Sequence, residues 1–174
     1  MRILVVEDDE NSRLLQHTLL EASGYEVDSA SNGKEALEAM DRARPDLIVS
    51  DIMMPEMDGF ALCRAVKSDP STADIPFIFY SATYTTDSDQ RLAADLGASR
   101  FLIKPLDLDA FIEQVREALA QTSPQAPGSA LPPLNMDAID AKYAQALARK
   151  LDKKVLELKD ARTQLGKSED SLQR

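Results

Sequence analysis

The chain has 174 residues, is 44% hydrophobic, and carries 30 acidic against 20 basic side chains for a net charge of −10. That length holds one well-buried domain of about 100–150 residues and an appendage. The single cysteine, Cys63, excludes an intramolecular disulfide framework, and no stretch approaches the roughly 20 apolar residues of a membrane span, so a soluble cytoplasmic protein without a leader is expected.

Arg2 to Val6 reads as a buried strand that runs into Glu7-Asp8-Asp9. Leu14, Leu15, Thr18, Leu19 and Ala22 follow at helical spacing, and Gly24 supplies a stop. Tyr25 to Ala30 is short and polar, as suits a strand at a sheet edge. Asn32-Gly33 opens a second helix with Ala36, Leu37 and Met40 on one face, ending before Arg44-Pro45. Leu47, Ile48 and Val49 are consecutive and apolar, the pattern of a strand covered on both faces, and the run ends in Asp51. Met54-Pro55 and Asp58-Gly59 turn the backbone away and leave that carboxylate at the strand end.

Phe60, Leu62, Cys63, Ala65 and Val66 mark a third helix that stops at Asp69-Pro70. Ile75 to Tyr80 is a further apolar strand followed by Ser81-Ala82. Leu92, Ala93, Ala94 and Leu96 form a fourth helix closed by Gly97; Arg100 to Ile103 is a fifth strand ending in Lys104-Pro105; Phe111, Ile112, Val115 and Leu119 mark a fifth helix. Strands alternating with helices through short loops predict an α/β doubly wound parallel sheet with right-handed crossovers.

Ligands of open α/β sheets gather at the carboxyl ends of the strands. Collected there are the acids Glu7, Asp8 and Asp51, the Ser81 hydroxyl and the Lys104 ammonium. Clustered carboxylates raise one another's pKa unless a cation neutralises them, and hard oxygen ligands suit Mg²⁺. A carboxylate nucleophile, a divalent cation and a lysine together make a phosphoryl site. Asp9 fits better as a residue favoured at a helix start. His17, the only histidine, reads as a helix-face residue, and Cys63 as packing.

At these residues the chain resembles the receiver domain of bacterial two-component response regulators. The resemblance covers residues 2 to about 120 and is carried by VVEDD at 5–9, DIMMPEMDG at 51–59, YSA at 80–82 and GASRFLIKP at 97–105. It implies a flavodoxin-like (βα)5 fold of strand order 2-1-3-4-5. It further implies Asp51 as phosphoacceptor, Asp8 as direct Mg²⁺ ligand, Glu7 as a second acid acting through water, and the Met53 backbone carbonyl as another ligand. Ser81 would be the switch hydroxyl, Phe101 the switch aromatic and Lys104 the phosphate partner. A histidine kinase or phosphotransfer protein is the implied partner. Two departures are Ser81 for the commoner threonine and Leu106 where phenylalanine is common; neither removes a required group. The competing class, an aspartyl phosphatase of the haloacid-dehalogenase type, needs a second acid two residues after the nucleophile, where this chain has Met53. The chain is therefore expected to be a signalling module and not a turnover enzyme.

Residues 121–134 are rich in Pro, Ser, Gln and Ala and predict a linker between the receiver, 1–120, and a long helix, 135–174. Charge divides the chain in the same way: residues 1–133 hold 11 Lys+Arg and 23 Asp+Glu, net −12, whereas 134–174 hold 9 and 7, net +2. An acidic first region is unsuited to gripping a phosphate backbone, so direct nucleic-acid binding is not expected. Leu151, Leu158, Leu165 and Leu172 recur every seven residues, with Ala148, Val155, Arg162 and Glu169 three before them. That seam predicts a parallel two-stranded coiled coil over 136–172, weakened at Arg162 and Glu169. The last ten residues resemble the helical lead-in to a PAS sensor domain, which implies a natural protein that continues past Arg174.

Overall fold

The structure is a computed structural model that describes residues 1–82 and 86–121, together with the single residues Ala144, Ala148, Val155, Lys159 and Arg162. Its elements are β1 (Arg2–Val6), α1 (Glu10–Ala22), β2 (Glu26–Ala30), α2 (Gly33–Arg42), β3 (Leu47–Ser50), α3 (Gly59–Ser68), β4 (Phe77–Ser81), α4 (Asp87–Asp95), β5 (Arg100–Ile103) and α5 (Leu108–Ala120). All strands are parallel in the order β2-β1-β3-β4-β5, so the polar strand β2 lies at one edge, as its sequence predicts. The chain is thus a flavodoxin-like α/β fold.

The central strands are uniformly apolar because both their faces are covered. Ile3, Val5, Leu47, Val49 and Ile78 pack against Leu20 of α1 and Phe111, Val115 and Ala118 of α5. The Phe77 and Phe79 rings meet in a tilted contact with centroids 5.0 Å apart, and Phe60 of α3 meets Phe79 at 5.2 Å. Side-chain caps start the helices: Asp9 accepts from Ser12 N at 2.8 Å, Asn32 from Glu35 N at 3.0 Å, and Asp58 from Ala61 N at 2.9 Å. Gly24, at φ +89°, ends the run after α1 in the left-handed region that glycine takes without strain.

Two readings shift. β4 starts at Phe77 and not at Ile75, since Pro76 offers no N–H to a ladder, although its carbonyl still accepts from Ile48 N at 3.0 Å. In α1 the face toward the sheet carries Gln16 and Leu20, while Leu14 and Leu15, part of the run read at helical spacing, are exposed. The amide is accommodated on that inner face because Gln16 Nε2 donates to Glu7 at 3.1 Å.

Backbone contacts divide the chain into two compact units, 1–134 and 135–174. The expected linker falls almost wholly outside the described residues, as do Leu151, Leu158, Leu165, Leu172 and Glu169. Ala144, Ala148, Val155, Lys159 and Arg162 are helical and exposed. Among the described residues no helix is long and apolar enough to cross a membrane.

Candidate functional site

The ladder bonds of the sheet continue one residue past the strands and pin the chemical groups in place. Glu7 N donates to Ala30 O at 3.0 Å, Asp51 N to Val6 O at 2.8 Å, and Lys104 N to Ser81 O at 3.0 Å. Each side chain therefore leaves the carboxyl edge from a backbone position that cannot drift. Carboxylate oxygens of Glu7, Asp8 and Asp51 lie within 4.8 Å of one another. Glu7 is buried and Asp8 is exposed, so the cluster opens to solvent on the Asp8 side.

Asp51 divides its two oxygens. Oδ1 accepts the Ile52 N–H at 2.7 Å, and Oδ2 accepts no bond from the described residues. The turn that follows depends on Gly59, whose N–H donates to Ile52 O at 2.9 Å. A Cβ there would sit 2.2 Å from the Asp51 carbonyl oxygen, so only glycine lets α3 begin this close to the acid. Met53, two residues past Asp51, is partly buried in this loop.

Lys104 donates to Glu7 Oε2 in a short contact and stands over the Tyr80 ring, 5.1 Å from its centroid. The Tyr80 hydroxyl in turn accepts from Leu106 N at 3.4 Å. Burial pushes the Glu7 carboxyl above its ordinary value; Lys104 opposes the shift and the Asp51 charge adds to it. Ser81 is fully buried at the end of β4. Phe101 pairs in register with Phe79, two residues before Ser81, so Ser81 and Phe101 share one face of the sheet. The Phe79 and Phe101 rings are 6.1 Å apart.

Glu7, Asp8, Asp51, Ser81 and Lys104 thus lie at one edge of the sheet, and Asp9 serves α1 as its cap. His17 bonds Ser29 Oγ at 2.8 Å, away from the acids, and Cys63 is buried with its thiol pushed up to about 12 by desolvation. Two residues that the motifs did not mark, Arg13 and Gln16, also touch the site, and Tyr80 of the YSA run, given no role there, lies against Lys104. The spacing of nine between Glu7 and Gln16 carries no recognised signature.

Three carboxylates, a lysine and a buried hydroxyl on this edge are found together with a match of residues 3–116 to the response regulator receiver domain model. The chain belongs to that family. Among its relatives, the response regulator MprA of Mycobacterium leprae is 38% identical over 124 residues, covering 71% of this chain and 53% of the relative. The response regulator PleD of Caulobacter vibrioides is 44% identical over 106 residues, covering 61% of this chain and 23% of PleD. This chain therefore matches about half or less of the length of these relatives. The signal receiver domain of a histidine kinase from Syntrophus aciditrophicus superposes with a TM-score of 0.65 at 33% identity, covering 76% of this chain and 98% of that one. Receiver domains are signalling domains that bind Mg²⁺ in an acidic pocket. The donor set here fits such an ion: hard carboxylate oxygens, one of them open to water.

Proposed function

We propose that residues 1–120 accept a phosphoryl group on Asp51 from a cytoplasmic histidine kinase or phosphotransfer protein, in a Mg²⁺-dependent step. The observation that carries this reading is the three-carboxylate cluster within 4.8 Å beside Lys104. Glu7, Asp8, Asp51 and the Met53 carbonyl would hold the cation, which when bound offsets charge on the phosphoryl oxygens. The unbonded Asp51 oxygen attacks phosphorus in line; a P–O bond forms as the bond to the donor imidazole nitrogen breaks, and that nitrogen leaves with its electron pair. Lys104 turns from Glu7 to the transferred group and balances its charge. Ser81 donates its hydroxyl to a phosphoryl oxygen, and Phe101, on the same sheet face, moves into the space this vacates.

The test is direct. Incubation with Mg²⁺ and acetyl phosphate adds one phosphoryl mass to the wild type and none to Asp51→Asn. Undiminished labelling of that variant would refute the assignment.

For residues 136–172 we infer a parallel two-stranded coiled coil that passes the change to an output region. Support comes from Ala148, Val155 and Arg162, which are helical at the seven-residue interval, and from Val155, a large apolar side chain 46% exposed in the single chain. Sedimentation equilibrium is expected to give a dimer for the full chain and a monomer for a version ending at Ala120. A monomeric full chain at tens of micromolar would contradict the pairing.

A further inference from the structure

The acids at the head of β1 are held from α1 by two side chains outside every motif. Arg13 Nη1 donates to the Glu7 carbonyl at 2.6 Å and to the Asp8 carbonyl at 3.3 Å, so one guanidinium gathers the backbone of both acids. Gln16 holds the side chain: its Nε2 donates to Glu7 Oε2 at 3.1 Å. Lys104 donates to that same oxygen. Glu7 Oε1 accepts no bond from the described residues.

Gln16 is buried on the face of α1 where Leu20, one turn later, is fully enclosed. An amide is costly there unless it is hydrogen-bonded, so a glutamine at an apolar position marks a bond that the site uses. With two donors on one oxygen the plane of the Glu7 carboxylate is set. Without Gln16, Lys104 would be the only side-chain partner of Glu7 among the described residues, and Glu7 could turn both oxygens to that ammonium.

We propose that Gln16 is a positioning residue for the cation site: it shares Glu7 Oε2 with Lys104 and so reserves Oε1 for the cation or for a water bound to it. This rests on the reading of Glu7, Asp8 and Asp51 as the Mg²⁺ site. Partners that hold a metal-binding side chain change affinity by about 10–100-fold when removed. The sequence hides the role because three of the four leucines of α1, Leu14, Leu15 and Leu19, suggest by their spacing a different inner face.

Mg²⁺ titration of the 174-residue chain, followed calorimetrically, tests the proposal with a readout independent of phosphorylation. Gln16→Met keeps the volume and removes the donor; it is expected to bind Mg²⁺ about 10-fold more weakly or worse, with a metal-free Tm near that of the wild type. Gln16→Asn, one methylene shorter, is expected to show the same loss and decides the matter if the methionine variant does not fold. Leu20→Ala serves as the packing control: its Tm falls and its Mg²⁺ affinity holds. Wild-type affinity in both Gln16 variants, or an equal loss in Leu20→Ala, would overturn the role of Gln16 alone. A wild type that binds no Mg²⁺ would overturn the site reading and this role with it.

Discussion

The two ends of the sheet carry similar residues and do different things. At the amino end Arg2 bonds Glu26 at 3.0 Å and Asp28 at 3.3 Å through its guanidinium, and its backbone N–H donates to Asp46 at 2.7 Å. Those groups are partly or largely exposed, and their charges are paired within the protein. At the carboxyl end three acids converge, one of them buried, and the lysine there pairs with Glu7. Acids and a cation at a strand end are therefore not in themselves a site. What makes one is a cluster of charge whose need for a partner the fold leaves unmet.

This contrast can be broken at either end. The largest effect is expected from Asp8→Ala, which removes a charged oxygen from the cluster: Mg²⁺ affinity should fall more than 10-fold and acetyl phosphate labelling of Asp51 with it. Mg²⁺ binding unchanged in that variant would show that the acids are neutralised within the protein, as at the opposite end. Gly59→Ala comes next. Its Cβ would lie 2.2 Å from the Asp51 carbonyl, so α3 must shift, at a cost of about 1–3 kcal/mol in denaturant unfolding and with slowed labelling. Asp9→Ala loses the cap of α1, lowering Tm while Mg²⁺ affinity stays unchanged, which separates the capping acid from its two neighbours. The smallest effect is expected from Arg2→Ala, about 0.2–1 kcal/mol in stability and nothing in metal binding.

Much of this was legible in the sequence because each signal had a local cause. Continuous apolar runs at Leu4–Val6 and Leu47–Val49 follow from strands covered on both faces, and the acids at their ends mark the carboxyl edge. Asp9 and Asn32 could be read as helix starts because capping is a bond between near neighbours. The inner face of α1 was not legible, since it seats Gln16 through a bond to Glu7, a contact between separate elements that the pattern of Leu14 and Leu15 does not reveal. Nor did the sequence say that Lys104 would lie against Glu7 and the Tyr80 ring, because three strands must be aligned before those groups meet.

The central claim is that Asp51, and no neighbouring acid, takes the phosphoryl group. Borohydride reduces an aspartyl phosphate to homoserine, so reducing the labelled chain and mapping its peptides locates the modified residue. The account predicts homoserine at position 51 in a Mg²⁺-dependent yield, with Asp8, Asp9 and Asp58 intact. Homoserine at any of those three and an unmodified Asp51 would contradict it.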